Sequence, residues 1–267
     1  MFGSPALVGI PYDAGSSFRR GSAAAPEEIR RALKSDASNS WSESGVDLGS
    51  PEVLGDIGDL DVSDDTRVRE AIERGIRDLL AIGRRPLSLG GDHSITYPIM
   101  RGFGPVHGQF TLLQIDAHPD LYPSFHGDRF SHACPFARIM EEGLVQRLVQ
   151  VGIRTMNAEQ QQNADRFGVD VIDMRAWTRG ERPEIRGPVY VSLDIDAIDP
   201  AYAPGVSHRE PGGLATRDAI ALIQSLEGPI VGADVVEFNP SEDLPGMTAP
   251  VCAKLVKEIA ARMHEVR

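Results

Sequence analysis

An apolar run that ends in acidic and imidazole side chains decides how this chain folds: Phe110-Thr-Leu-Leu-Gln-Ile-Asp-Ala-His-Pro-Asp120. Its first part, Phe110–Ile115, shows little alternation of polar and apolar residues, which is typical of a strand buried on both faces of a parallel sheet. Asp116, His118 and Asp120 follow at every second position, so they point to one side if the segment stays extended. The stretch therefore predicts a buried parallel sheet with a reactive site at its carboxyl edge.

Apolar runs of this kind recur along the chain and alternate with segments of helical spacing. The predicted strands are Leu7–Ile10, Val53–Ile57, Pro86–Leu89, Phe110–Ile115, Leu148–Ile153, Val169–Ile172, Val189–Leu193 and Ile230–Val236. The predicted helices are Pro26–Leu33, Asp64–Ile82, Ser94–Gly102, Pro135–Glu142, Ala158–Phe167, Arg217–Leu226 and Ala249–Val266. Strands that alternate with helices pair in parallel through right-handed crossovers, which places helices on both faces of the sheet. We therefore predict an α/β fold of a single domain, residues 1–267, with three α/β/α layers around a mostly parallel eight-stranded sheet.

Composition excludes several classes of function. The 267 residues include 27 Lys and Arg against 39 Asp and Glu, a formal net charge of −12, and no basic run that could follow a nucleic-acid backbone. No apolar segment approaches the roughly 18 to 20 residues of a membrane span, and the amino terminus lacks the pattern of a secretory signal. Two cysteines, Cys134 and Cys252, are too few for a disulfide framework or a thiolate metal site. We expect a cytoplasmic protein that binds neither nucleic acid nor membranes.

Side chains with metal-binding chemistry follow several of the predicted strands. The candidate ligands are four carboxylates and two imidazoles: His93, Asp116, His118, Asp120, Asp194 and Asp196. So many carboxylates at one place repel one another unless protons or cations neutralise them. Two divalent ions would cancel the four negative charges, and oxygen-rich ligands without thiolate suit Mn2+, with Ni2+ or Co2+ as alternatives. The pattern predicts a dinuclear site with the ions roughly 3.5 to 4 Å apart.

These motifs, taken in order, resemble the ureohydrolase family, which contains arginases and agmatinases. The resemblance covers nearly the whole chain, and its pattern is closest to agmatinases. It rests on these segments: Gly9-Ile-Pro-Tyr-Asp13, Gly90-Gly-Asp-His-Ser94, Asp116-Ala-His-Pro-Asp120, Ser131-His132, Ser192-Leu-Asp-Ile-Asp-Ala-Ile-Asp-Pro200, Gly212-Gly-Leu214 and Glu237-Phe-Asn-Pro240. The resemblance implies an arginase-like fold, a homo-oligomer (trimer or hexamer), and hydrolysis of a small guanidino substrate to urea and an amine.

The resemblance also implies a role for each site residue. One metal ion would be held by His93 and Asp120 and the other by His118 and Asp196, with Asp116 and Asp194 bridging. Asp120 would contact the attacking hydroxide, and Glu237 would accept the guanidinium N–H groups. His132 would deliver a proton to the departing amine. In this chain His132 is followed by Ala133-Cys134 where the family commonly has glycine, so the local backbone is expected to differ.

Substrate choice stays open within the family. Arginases place Ser-Gly-Asn ahead of the shuttle histidine, whereas this chain has Asp128-Arg129-Phe130. We therefore expect agmatine, hydrolysed to putrescine. Arg129 would instead suit a carboxylate tail, so guanidinobutyrate or guanidinopropionate is an alternative, as are arginine and formiminoglutamate. We expect the segment Leu121–Arg129 to contact the tail.

Two rivals come from outside the family. A deacetylase-type amidohydrolase would use one zinc ion and would not need His93 and Asp196, and a non-catalytic metal-binding scaffold would keep the site without turnover. Cys134 is expected to be packed and unreactive, Asp199 to serve a turn, and His208 to have an ordinary structural role.

Overall fold

A computed structural model describes residues 3–64, 66–107 and 110–266 of the chain. Within those ranges eight strands form one sheet in the order β2-β1-β3-β8-β7-β4-β5-β6, and every neighbouring pair is parallel. The strands are β1 (Pro5–Ile10), β2 (Gly55–Asp59), β3 (Arg85–Gly90), β4 (Thr111–Ile115), β5 (Arg147–Val151), β6 (Asp170–Ile172), β7 (Val189–Asp194) and β8 (Ile230–Val236). The predicted eight-stranded α/β fold is confirmed, and the sheet is parallel throughout.

Helices cover both faces of this sheet. They are α1 (Ala25–Leu33), α2 (Val68–Ala81), α3 (Thr96–His107), α4 (Pro135–Glu141), α5 (Ala158–Phe167), α6 (Met174–Thr178), α7 (Thr216–Gln224) and α8 (Thr248–Glu265). Buried residues of α1, α7 and α8 belong to one apolar core, and those of α2, α3 and α4 belong to the other. Neighbouring strand residues supply opposite cores, as Leu112 and Leu113 do, because side chains alternate along a strand.

Three helices differ from the sequence prediction by more than two residues. The third helix runs to His107 instead of ending at Gly102. The second helix begins at Val68 instead of Asp64, because residues such as Asp64 form local turns with their own side chains: the Asp64 carboxylate accepts hydrogen bonds from Thr66. The five-residue helix α6 was not predicted, since it is too short to show a period. Among the described residues, no helix is both long enough and apolar enough to cross a membrane.

Register aligns the strand ends that carry the candidate site. Ile115 of β4 pairs with Leu193 of β7, which pairs with Val235 of β8, which in turn pairs with Leu89 of β3. These four strands are adjacent in the sheet, so the residues that follow them emerge at one level of the carboxyl edge. That edge is where open parallel sheets bind their ligands.

Candidate metal centre and active site

Three carboxylates surround the imidazole of His93. The Nδ1 atom of His93 lies 3.1 Å from Asp116 Oδ2, 3.1 Å from Asp120 Oδ2 and 3.2 Å from Asp194 Oδ2. His93 is completely buried, and its Nδ1 has no hydrogen bond of good geometry within the described part of the chain. A buried ring nitrogen and the several carboxylate oxygens around it together form a donor set suited to a cation.

A second imidazole approaches the same cluster from the solvent side. His118 Nδ1 lies 2.9 Å from Asp196 Oδ2 and 3.6 Å from Asp116 Oδ1, and the His118 side chain is 26% exposed. Asp116 therefore stands between the two imidazoles, with one oxygen toward each. Two potential ligand groups result, His93 with Asp116 and Asp194, and Asp116 with His118 and Asp196. The structure thus brings together all six residues that the sequence predicts as ligands, with Asp120 beside the first group.

The electrostatics of the cluster demand positive charge at its centre. Burial disfavours the charged form of His93, yet Asp116, Asp120 and Asp194 outweigh it and raise its pKa well above the ordinary value. The pKa of His118 is raised in the same way, with burial opposed mainly by Asp196. Burial and the charge of Asp116 raise the pKa of Asp120 to about 6. Protons are thus drawn to the place that divalent ions would take, which fits the residues to a pair of cations.

Local backbone geometry aims two of the predicted catalytic residues into the site. Asp120 and Glu237 both have positive φ, 50° and 64° respectively, a conformation that non-glycine residues seldom adopt. Such conformations cluster at functional sites, where the surrounding structure enforces them. Close packing explains why position 91, directly after β3, is a glycine. A Cβ there would lie 1.7 Å from the main-chain oxygen of Tyr12.

His132 is held at both ring nitrogens beside the cluster. Its Nδ1 lies 2.8 Å from Glu237 Oε1, and its Nε2 lies 2.8 Å from Ser17 Oγ. Glu237 Oε1 also accepts the main-chain N–H of His93, at 2.9 Å. Burial would lower the pKa of His132, but the Glu237 charge prevails and raises it to about 9, while His132 in turn overcomes burial and lowers the pKa of Glu237. At neutral pH His132 therefore carries a proton that it can donate.

A cavity of about 270 Å³ opens above these residues. Its lining includes six predicted site residues: His118, Asp120, His132, Asp194, Asp196 and Glu237. Ser17, Tyr122, Thr155 and Glu210 line it as well, and of these only Tyr122 lies in the segment Leu121–Arg129 that the sequence had suggested for the substrate tail. His93 and Asp116 lie beneath the cavity, out of contact with solvent. A small substrate in this cavity would therefore meet the exposed side of the cluster.

His208 also belongs to this site, contrary to the structural role expected for it. Its ring centroid lies 5.8 Å from that of His118 and 5.3 Å from that of His132. The loop that carries it is fixed by Arg154, whose guanidinium donates to the main-chain oxygens of Asp196 (2.7 Å) and Glu210 (2.6 Å). No local sequence pattern identifies His208 or Glu210, because a long loop brings both into the site.

Three further residues named in the sequence analysis lie outside the ligand cluster: Arg129, Asp199 and Cys134. Arg129 is more than half exposed, pairs with Glu141 at 3.0 Å and does not line the cavity, so it cannot contact a substrate tail there. Asp199 accepts N–H groups of Gly212 and Gly213, which is the turn role expected for it. Cys134 is buried, and burial chiefly raises its pKa to about 12, which leaves the thiol unreactive at neutral pH.

Comparisons with known proteins agree with this geometry. A family model described as "Arginase family" matches residues 4–261. The chain belongs to the arginase family. It is 45% identical to "Arginase 1, mitochondrial" of Arabidopsis thaliana (98% of this chain, 82% of the relative) and 36% identical to "Guanidino acid hydrolase, mitochondrial" of Homo sapiens (98% and 78%). The solved arginase from Medicago truncatula superposes with a TM-score of 0.92 at 43% identity, covering 98% of this chain and 87% of that one.

Membership in the arginase family indicates the class of reaction. The chain is an arginase-family hydrolase, and its relatives are ureohydrolases, which cleave guanidino C–N bonds. The predicted membership in the ureohydrolase family is confirmed. Agmatine, the substrate expected from the sequence, is not confirmed by these relatives, two of which are named arginases.

Proposed function

We propose that this chain hydrolyses L-arginine to urea and L-ornithine at a dinuclear manganese centre. The single observation that carries the proposal is the cluster of six ligand-type side chains around the shared Asp116, beneath a cavity of about 270 Å³. The 45% identity to a plant arginase supports arginine as the substrate. Agmatine is the second candidate, because the acidic lining of the cavity suits its amine.

The metal ions would be held as the resemblance implies. His93 and Asp120 would hold one ion, His118 and Asp196 the other, and Asp116 and Asp194 would bridge them. The orphaned Nδ1 of His93 and the raised pKa values of both imidazoles fit this arrangement. When bound, a pair of Mn2+ ions lowers the pKa of water enough to supply hydroxide at neutral pH.

Protein groups would orient the substrate and move the proton. Both described contacts of Glu237 use Oε1, so Oε2 is the oxygen through which it would receive the guanidinium N–H groups in a charge-assisted pair. Protonated His132 lies within 2.8 Å of Glu237 and would pass its proton to the amine as the C–N bond breaks. Asp120 lines the same cavity and would accept a hydrogen bond from the attacking hydroxide.

The charges of the cavity favour a substrate whose tail carries an amine. Among the described residues, its lining contains no lysine or arginine, whereas Glu210 adds a carboxylate beyond the ligand set and Glu237. We infer that Glu210 binds the ammonium group of the tail. Tyr122 accepts a hydrogen bond from Asn157 at 2.6 Å, so its own hydroxyl proton remains for the carboxylate of arginine. Agmatine has the ammonium but lacks the carboxylate, and guanidino acids have the reverse.

A substrate panel tests the proposal. The Mn2+-loaded protein is incubated with L-arginine, agmatine and 4-guanidinobutyrate while urea is measured, and with formiminoglutamate while formamide is measured. We expect the highest kcat/KM for L-arginine, and the next highest for agmatine. Faster hydrolysis of 4-guanidinobutyrate or formiminoglutamate would contradict the proposed arginine tail site, and no turnover of any compound would favour a non-catalytic scaffold.

Location and assembly remain predictions. We propose a cytoplasmic homo-oligomer, trimeric or hexameric, although the names of plant and human relatives place those proteins in mitochondria. Cell fractionation and light scattering would test the two statements separately.

A further inference from the structure

Five polar side chains lie next to one another across five neighbouring strands of the sheet. Register pairs Ser88 with Asp234, Asp234 with Ser192, Ser192 with Gln114, and Gln114 with Gln150. We call these five residues the polar row. All five are fully buried, in strands that are otherwise mostly apolar. Because an unpaired buried polar group costs free energy, most polar atoms of such a row need partners, and within the described residues Ser88 Oγ and Gln150 Oε1 are the two that have no hydrogen bond of good geometry.

The polar row lies one step below the candidate ligands. Gln114 of β4 precedes Asp116, which directly follows that strand, by two residues, and Ser192 precedes Asp194 by two residues on β7. Residues two apart on a strand face the same side of a sheet, about 6 to 7 Å from each other. The polar row therefore lies directly beneath the strand ends that carry the candidate ligands.

One branch of the row reaches His93. His93 Nε2 lies 2.9 Å from Ser192 Oγ, and Ser192 donates to Asp234 Oδ1 at 2.7 Å. A serine hydroxyl that gives its proton to a carboxylate can only accept from the ring, so His93 must carry hydrogen on Nε2. This hydrogen bond leaves the Nδ1 lone pair of neutral His93 directed at the carboxylate cluster.

Asp234 is itself anchored by two further hydroxyl groups. Tyr190 donates to its Oδ2 at 2.9 Å and Thr96 donates to the same oxygen at 3.1 Å. Neither of these hydroxyls stands between Asp234 and His93. They therefore offer a control that alters the surroundings of Asp234 but leaves the path to His93 intact.

A second branch reaches the shared carboxylate. Gln114 donates from Nε2 to Asp116 Oδ2 at 2.7 Å, and its Oε1 accepts from Gln150 Nε2 at 2.6 Å. Gln150 Nε2 also donates to the main-chain oxygen of Pro119, at 2.7 Å. Because Asp116 only accepts, the nitrogen of Gln114 must face it, and this fixes the orientation of both amides.

We propose that the polar row positions the metal ligands: Ser192 and Asp234 fix the ring and tautomer of His93, and Gln114 and Gln150 fix the carboxylate of Asp116. The inference rests on the proposed metal centre but concerns residues that would not touch the ions. Such partners of metal ligands commonly contribute 10- to 100-fold to metal affinity.

The test measures manganese binding, independently of turnover. Free Mn2+ is followed by electron paramagnetic resonance during titration of the full chain and of Ser192→Ala, Ser192→Thr, Thr96→Val and Gln150→Leu. We expect Ser192→Ala to weaken one of two sites by about 10- to 100-fold, and Gln150→Leu to weaken both, since Asp116 is shared. Ser192→Thr retains the hydroxyl and Thr96→Val leaves the branch intact, so both should bind as the wild type does.

Thermal unfolding of the metal-free variants separates positioning from a merely structural role. A structural role would lower the melting temperature of metal-free Ser192→Ala while leaving its Mn2+ affinity unchanged, and that result overturns the inference. Equal weakening by Thr96→Val and Ser192→Ala would overturn it too, since it would indicate general loosening. If Ser192→Ala does not fold, Ser192→Cys takes its place with the same expectation, because a thiol is only a weak acceptor. A wild-type chain that binds no Mn2+ would instead overturn the proposed function itself.

Discussion

The two halves of the ligand cluster are built from the same residue types in different surroundings. In one half, His93 is fully buried, rests on the polar row and faces three carboxylates. The half around His118 is partly exposed, borders the cavity and has the His208 ring beside it. His93 is therefore held by the protein alone, whereas His118 is the imidazole that a substrate in the cavity would approach.

The residue common to both halves should have the largest effect. Asp116→Asn removes a charge from each ligand group, so we expect loss of both Mn2+ ions and a fall in kcat/KM of more than about 100-fold, beyond what an outer partner contributes. Metal content and urea release measure it, with the exposed Asp61→Asn as the control. If Asp116→Asn retains both ions, the two halves do not depend on Asp116 as a shared ligand.

Stability should distinguish the halves. In metal-free protein His93→Ala leaves Asp116, Asp120 and Asp194 facing one another in a buried site, which should cost about 3 kcal/mol or more of unfolding free energy. His118→Ala should cost less, because solvent reaches that side chain. Urea denaturation of both variants after chelation gives the comparison, and equal losses would show that burial does not separate the halves.

The cavity above the half around His118 should depend on Glu210. Glu210→Gln removes a charge-assisted pair with the substrate ammonium, a contribution of about 1.5 to 3 kcal/mol, so kcat/KM for L-arginine and agmatine should fall roughly 10- to 100-fold. Mn2+ affinity should not change. Glu159→Gln, an exposed substitution on α5, is the control, and an unaltered kcat/KM in Glu210→Gln would remove Glu210 from the tail site.

The proton on His132 should depend on Glu237. In metal-free protein, nuclear magnetic resonance should report a His132 pKa of about 9 that falls toward 6.5 in Glu237→Gln. A pKa raised on folding stabilises the protein fully below the unfolded value of about 6.5, and the contribution is lost as pH rises through about 9. If the pKa of His132 does not change in Glu237→Gln, a group other than Glu237 raises it.

The smallest effect is expected at Arg129, which sequence alone had suggested as the reader of the tail. Because it pairs with Glu141 outside the cavity, Arg129→Ala should alter kcat/KM for every substrate by less than about twofold, as surface ion pairs contribute little. A marked change in the preference of Arg129→Ala between agmatine and 4-guanidinobutyrate would show that Arg129 does contact the substrate tail.

Sequence could predict those features that depend on short-range pattern. The eight strands and the six ligand candidates follow from apolar runs with acids and histidines at their ends, because parallel strands bring those ends together. Glu210 and His208 could not be predicted, since they reach the cavity through a loop whose path depends on Arg154. The polar row could not be predicted from the sequence either, because Gln114, Ser192 and Asp234 become neighbours only through strand register.

The claim that six side chains form one dinuclear centre is tested most directly by anomalous X-ray diffraction from crystals grown with Mn2+. We predict two manganese peaks roughly 3.5 to 4 Å apart, one bound by His93 and the other by His118, with Asp116 touching both. A single peak, or none at saturating Mn2+, with the six side chains apart, would contradict it.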